Sequence, residues 1–232
     1  MGTDETNVGI PRWVEAAVAL VGLVLAAPLI LLSAVLVSLT STGPVIFRQK
    51  RVGVGGELFT LYKFRTMRVQ NAGLQVTAGD DKRITWFGRF LRKTKLDELP
   101  ELWNVITGDM SLVGPRPEVP HYVDWDNEMW REVLRARPGI TDPVTLKLRN
   151  EEELLASVQG DRDSFYKDCL LPYKLIGYRR YIQRRTFRSD LIVLWKTAVS
   201  VLIPSSAPPP TLNDVVSAST NRLPKSNLPG HK

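Results

Sequence analysis

Hydrophobic and polar residues are unevenly distributed along this chain. From Ala16 to Val37, AAVALVGLVLAAPLILLSAVLV runs for 22 residues without a charge. As one helix it would be roughly 33 Å long at about 1.5 Å per residue, enough to cross a bilayer core. A cleaved signal peptide fits poorly: the run is too long, Asp4 and Glu5 precede it, and it lacks a clear small-x-small cleavage site. Pro28 lies near its middle, where it removes a backbone donor and clashes with the preceding turn. Taken alone, the segment favours a spanning helix, since such prolines are tolerated in membranes. Arg48, Lys50 and Arg51 place the C-terminal flank in the cytoplasm by the positive-inside rule. The short, weakly charged N-terminal flank decides nothing.

The polar part of the chain has its own punctuation. Thr42-Gly43-Pro44 ends the apolar helix, and two extended runs then flank Val54-Gly55-Gly56-Glu57, a hairpin signal. In the second run Phe59, Leu61, Lys63 and Arg65 share a face at period two, so an apolar base leads to a cationic tip. Thr85 is placed to N-cap a helix through WFGRFLRK, with Phe87, Phe90 and Leu91 as its apolar stripe. Such a basic amphipathic helix either lies in the membrane interface or docks on the protein surface. The stretch TKLDELPELWNVITGDM reads as a helix opening at Thr94 and ended by Gly108. Residues 151–159 and about 163–203 read as helical, with an interruption at Pro172. From Pro204 the Pro/Ser-rich composition predicts a disordered tail. The organisation expected is an N-terminal segment (1–11), a membrane anchor (12–41), a catalytic domain (42–203) and the tail (204–232).

Charge narrows the chemistry. The net charge of +7 calls for an anionic partner, and the excess is concentrated: between Pro44 and Lys95 twelve cations face three anions. One cysteine, Cys169, permits no intrachain disulfide, and with only His121 and His231 no His/Cys zinc site can be built. A metal here would be a hard cation held by carboxylates and phosphates, Mg²⁺ first among them. Neither a phosphate-binding P-loop nor a dinucleotide fingerprint is present, and two histidines do not support a Ser/His/Asp triad.

The adjacent acids Asp97 and Glu98 stand out directly after this basic stretch. Thr94 followed three residues later by Asp97 looks like a capping box, a position where a helix dipole lowers a carboxylate's pKa. Acids at helix starts usually only complement that dipole. Arg89, Arg92, Lys93, Lys95 and, further on, Arg116 shift the balance towards phosphoryl chemistry, in which cations hold the group being transferred. Gly114-Pro115-Arg116-Pro117 either presents one guanidinium as a phosphate fork or forms a plain rigid turn. Arg137-Pro138-Gly139-Ile140-Thr141 offers backbone N–H groups and a hydroxyl to an anion, or is a simple loop.

RQKRVG, LYKFRTM, RITWFGRFLRKTKLDELPELWNVITGDMSLVGPRPE and RPGIT together resemble, in order and spacing, the bacterial sugar transferase family. These are small monotopic polyprenyl-phosphate phosphoglycosyl transferases. The resemblance implies a mixed α+β, predominantly α fold, with a compact interfacial catalytic domain, a small β-hairpin and a re-entrant membrane helix broken at Pro28. Both ends of that helix would lie on the cytoplasmic face of the inner membrane, reversing the preference for spanning. It also implies a two-step reaction. Asp97 attacks the β-phosphate of a UDP-sugar and releases UMP; undecaprenyl phosphate then takes the phosphosugar, initiating a cell-surface glycan. Glu98 matches the partner acid, Mg²⁺ is the implied cofactor with Asp97 and Glu98 as its ligands, and Lys63, Arg65, Arg89, Arg92, Arg116 and Thr141 are expected at phosphates. The partners expected are the donor, the lipid acceptor and membrane lipids, with no nucleic acid; a homodimer and downstream glycosyltransferases are compatible additions. A membrane-tethered basic binding or scaffold module without catalysis is the alternative. Two departures stand out. Thr141 is followed by DPVTLKLRNE where the family often reads G-W-A-Q-V-N-G-R, which bears on sugar recognition, and Ala27 precedes Pro28 where a serine is common.

Overall fold

The computed structural model describes residues 9–68, 77–202 and 209–220, and it is mixed α and β, mostly helical. The apolar run folds as one helix, α1 (Arg12–Thr40), continuous through Pro28. The expected break is therefore not an interruption of helical backbone. Among the described residues α1 is the one helix long and apolar enough to cross a membrane, and most of its middle is exposed.

The hairpin pairs β1 (Ile46–Val52) with β2 (Leu58–Phe64), antiparallel, from Ile46 opposite Phe64 to Val52 opposite Leu58. Gly55 supplies a positive φ of 67° at its turn, which glycine adopts without steric cost. Helix α2 (Trp86–Thr94) is capped by Thr85, whose Oγ1 accepts from Gly88 N–H at 2.9 Å. Lys95 then turns into the left-handed region at φ 60°, and a 3₁₀ turn, Leu96–Glu98, precedes α3 (Glu101–Thr107). Gly108 closes α3 at φ 100°. The capping box expected at Thr94 does not form: its hydroxyl back-bonds to Phe90 and Leu91 carbonyls because α2 is still in progress there.

A second, parallel pair joins β3 (Ser111–Val113) to β4 (Gly139–Thr141), with α4 (Glu128–Val133) between them in sequence. A Cβ on Gly139 would lie 2.1 Å from Gly114 N, so this crossing of two backbones requires glycine. Next come α5 (Pro143–Lys147), α6 (Glu151–Ala156) and α7 (Arg162–Phe165). A π-helical turn, Tyr166–Leu170, feeds directly into α8 (Leu171–Gln183). Pro172 thus sits in the first turn of α8 and does not interrupt; the break falls at Arg184, before α9 (Phe187–Leu202).

Within the stretch read as a disordered tail, α10 (Leu212–Thr220) packs on α8 and the π-helical turn, with Val215 fully buried. Thr211 and Asp214 cap it reciprocally, Thr211 N–H donating to Asp214 and Asp214 N–H to Thr211 Oγ1. Residues 1–8, 204–208 and 221–232 lie outside the described residues.

Three apolar clusters support the site. The largest gathers Tyr122, Trp130, Val144, Leu155, Leu170, Leu175 and Val215; the second joins Ala19 of α1 to Phe59, Leu61, Val105 and Met110. The third packs Val37 of α1 on Phe64, Phe87 and Leu91. Both ends of α1 are also tied down by hydrogen bonds. Arg12 donates to the carbonyls of Met110 and Ile106, each at 3.2 Å, and Glu15 accepts from Leu112 N–H at 3.0 Å. At the other end Arg65 donates to the Ser41 and Pro44 carbonyls, both at 2.5 Å.

Candidate active site

The 3₁₀ turn carrying Asp97 and Glu98 opens on a cavity of about 550 Å³. Lys95 positions it. A non-glycine residue in the left-handed region costs about 1–3 kcal/mol and is typical of functional turns. The bend directs the chain out of α2 so that both acids reach the cavity, although adjacent residues diverge around a helix axis.

The two acids have different surroundings. Glu98 Oε1 accepts from Arg116 Nη2 at 2.6 Å, with Lys63 Nζ at 3.4 Å and Lys95 Nζ at 4.0 Å. Burial works against its ionisation, but the charges of Arg116, Lys63 and Lys95 outweigh this and hold its carboxyl well below the ordinary range. Asp97 is buried, and its Oδ1 has no hydrogen-bond partner among the described residues. Burial, and next the charge of Glu98, push its carboxyl up, opposed by Lys63, Lys95 and Arg92. This reverses the lowering expected from a helix start, since desolvation dominates where no cap hydrogen bond forms. One acid is thus a fixed anion and its neighbour a more basic, unpaired one.

Glu101 completes the cluster. It is almost wholly buried in α3, with Lys63 Nζ 3.1 Å and Arg116 Nη2 3.9 Å from its Oε1. Sequence reasoning passed it over. Its placement four residues after Asp97 in LDELPEL was the available signal, since such residues share a helical face.

The remaining expected site residues divide. Lys63, Arg92 and Arg116 line the cavity. Arg92 is also paired with Glu152, Nη2 to Oε1 at 2.6 Å, and bonds Thr66 Oγ1 at 3.1 Å. Arg65 borders the cavity on the same side as Lys63 but spends its guanidinium on Ser41 and the Ser41 and Pro44 carbonyls at the end of α1. Arg89 is exposed and is not among the cavity-lining residues. Thr141 is buried and pairs its hydroxyl with Thr197 of α9 at 2.8 Å, away from the lining.

Among the described residues no group of three or more His, Cys, Asp and Glu is placed to hold a metal ion. Mg²⁺ does not need one, because it is commonly bound by one or two carboxylates with water and substrate phosphates. The Asp97 carboxylate, on the cavity wall and free of a salt bridge among the described residues, fits that use; Glu98, expected as a second ligand, is instead engaged by Arg116 and Lys63.

Comparison with known proteins identifies relatives of this chain. The family model described as "Bacterial sugar transferase" matches residues 6–204. A "UDP-N-acetylgalactosamine-undecaprenyl-phosphate N-acetylgalactosaminephosphotransferase" of Aeromonas hydrophila is 45% identical over 140 residues, 57% of this chain and 32% of that protein. Proteins named "UDP-glucose:undecaprenyl-phosphate glucose-1-phosphate transferase" are similar in Caulobacter vibrioides (38% identical, covering 78% of this chain and 65% of that one) and Klebsiella pneumoniae (40%, 87% and 42%). The chain therefore spans about a third to two thirds of these relatives' lengths.

Proposed function

Because the chain belongs to the bacterial sugar transferase family, we propose that it moves a sugar 1-phosphate from a UDP-sugar to undecaprenyl phosphate through a phosphosugar-aspartate at Asp97. The observation that carries this reading is the buried, unpaired Asp97 oxygen in a cavity walled by Lys63, Arg92, Lys95 and Arg116.

In the first step that oxygen attacks the β-phosphorus of the donor. The bond from this phosphorus to the oxygen bridging the two phosphates breaks, and UMP leaves with that oxygen. In the second, a phosphate oxygen of the lipid attacks the same phosphorus, the acyl-phosphate bond breaks, and Asp97 returns as a carboxylate. Its raised basicity makes the carboxylate a better nucleophile, while Lys63, Lys95 and Arg92 keep an ionised form accessible. Glu98 stays ionised and orients Arg116 and Lys63 towards the charge that develops on the phosphoryl oxygens. Mg²⁺, held by the other carboxylate oxygen of Asp97 and the donor phosphates, would screen the negative charge of the pyrophosphate.

A soluble nucleotide sugar must here meet a lipid phosphate, so the site belongs at the cytoplasmic face of the bacterial inner membrane. The ties at both ends of α1 support a re-entrant anchor. Asn104 of α3 accepts from Tyr62 N–H at 3.2 Å and donates to Thr60 O at 2.8 Å, which places the two ties on one packed body. A spanning helix would separate its ends by about 30 Å of hydrocarbon. Trp86 on α2 and Trp195 on α9, 73% and 71% exposed, suit the headgroup layer.

Intact-mass measurement after mixing the full chain with UDP-sugar and Mg²⁺, without lipid, should show a phosphosugar adduct and stoichiometric UMP. Asp97→Asn should show neither. Turnover without an adduct would remove the nucleophile assignment, and no UMP from any donor would leave the non-catalytic alternative.

A further inference from the structure

Helix α10 lies beyond residues 6–204, where the family match ends, and the mechanism above gives it no task. It is nonetheless built into the fold. Val215 and Ser219, four residues apart and so on one helical face, are 0% and 3% exposed. That face packs on the π-helical turn and α8, where Val215 joins the apolar cluster of Tyr166, Leu170 and Leu175. Ser219 lies in hydrogen-bond contact with Cys169 of the turn. Thr211 caps the helix from outside the core, its Oγ1 accepting from Asp214 N–H at 3.2 Å.

The turn beneath α10 also reaches the cavity, through Tyr166. Leu171 N–H donates to Tyr166 O, five residues back instead of four. A turn so widened holds one residue more than α-helical geometry, and such turns recur at functional sites. Expelling that residue would rotate the preceding chain by about 100° and shift it by about 1.5 Å. Tyr166 would then lose the bond its hydroxyl donates to Glu118 Oε2. Glu118 lines the cavity close to Arg116 in sequence and also accepts from Arg51 Nη1 at 3.4 Å. Released from Tyr166, it becomes a less restrained carboxylate in a cavity that takes an anionic donor, and it repels that donor more. From this arrangement we propose that α10 is a clasp: docked through Val215 and Ser219, it holds the π-helical turn in register and so keeps Tyr166 on Glu118. Tyr166 is the positioning residue through which the clasp reaches the reaction. The kinetic consequence rests on the transferase reading above; the docking does not.

Two measurements on the full chain in lipid nanodiscs test this. Cys169 is the sole cysteine of the chain, so its rate of reaction with a maleimide reports on docking. UMP release from UDP-glucose and UDP-N-acetylgalactosamine, with undecaprenyl phosphate present, reports on the cavity. Thr211→Ala removes the exposed cap without opening the core and should speed labelling by about 2- to 30-fold, the range for a lost N-cap. Val215→Asp places a charge in the packed face and should speed it further. In Val215→Asp the donor KM should rise about 10-fold, as for a lost hydrogen bond to a charged group, with kcat changing less. In a Tyr166→Phe background Val215→Asp should raise KM no further, because both changes remove the same bond. Should Val215→Asp fail to fold, Thr211→Ala carries the same comparisons with smaller effects. Unchanged labelling in the variants would overturn the proposal, as would faster labelling with an unchanged donor KM. An equal rise in KM with and without the Tyr166 hydroxyl would show a merely structural helix and also overturn it. Inactive wild type with every donor would instead refute the transferase reading, while the labelling rates still decide the docking.

Discussion

Arg116→Ala isolates the interaction that separates the two acids. Arg116 Nη2 lies 2.6 Å from Glu98 Oε1, and both side chains are mostly buried, 24% and 13% exposed. Removing one partner of such a pair leaves a buried charge and costs about 3–5 kcal/mol. Lys63 at 3.4 Å and Lys95 at 4.0 Å remain beside Glu98, so the low end, about 3 kcal/mol, is expected. For a chain of this size each kcal/mol shifts the melting temperature by about 2–4 °C, giving a fall of about 6–12 °C. Tryptophan fluorescence during thermal unfolding in nanodiscs measures it directly. The sign with pH follows from the depressed Glu98 carboxyl: its stabilisation is present above the unfolded value of 4.5 and is lost as pH falls below it. The gap between wild type and Arg116→Ala should therefore be full at neutral pH and narrow below 4.5. Combining Arg116→Ala with Glu98→Gln removes the stranded charge, so the double variant should be more stable than the two single losses summed. Strict additivity, or a fall under about 2 °C (well below the range just derived), would refute the account.

Asp97→Asn should melt above wild type at neutral pH. Burial and then Glu98 raise the Asp97 carboxyl, so its contribution is most favourable below 3.8 and is lost as pH rises through the folded value; a neutral amide escapes that loss. The same direction puts the acid limb of kcat/KM above pH 3.8, and a limb at or below that value would contradict it. Gly139→Ala should destabilise strongly, because its Cβ would meet backbone 2.1 Å away; a folded variant with unchanged melting temperature would show that β3 and β4 can separate freely. Single cysteines placed at Trp13 and Leu39, with Cys169 replaced by serine, should react with an impermeant thiol reagent from the same side of oriented vesicles. Labelling from opposite sides would replace the re-entrant anchor with a spanning one.

Features governed by neighbours in sequence were legible. The glycine-rich hairpin turn, the Thr85 cap and the Gly108 stop each depend on a few consecutive residues, and each forms where it was expected. Asp97 and Glu98 could be selected for the same reason: two acids directly after a long basic stretch are a local anomaly. What their surroundings do to them was not legible. Arg116 and Lys63 approach Glu98 from 18 and 35 residues away, and only that approach makes Glu98 a held anion and leaves Asp97 the basic, unpaired partner. The Thr211–Asp214 cap was readable in TLND, yet the Pro/Ser composition around it outweighed four residues.

Arg65 shows most clearly why a motif position does not fix a role. It lies two residues after Lys63, and strand alternation sends both side chains the same way as long as the strand lasts. The ladder ends at Phe64, where Ile46 is the last partner. Arg65 N–H carries the same register one residue on, to Val45 O, and its guanidinium reaches the Val37, Ser41 and Pro44 carbonyls at and just beyond the end of α1. A guanidinium beside the last turn also complements the negative end of the helix dipole. The same basic motif therefore supplies one cation, Lys63, to the acid cluster on the cavity wall and another, Arg65, to the end of α1. Two residues apart in one motif, they tie the end of α1 and the acid cluster to the same stretch of backbone.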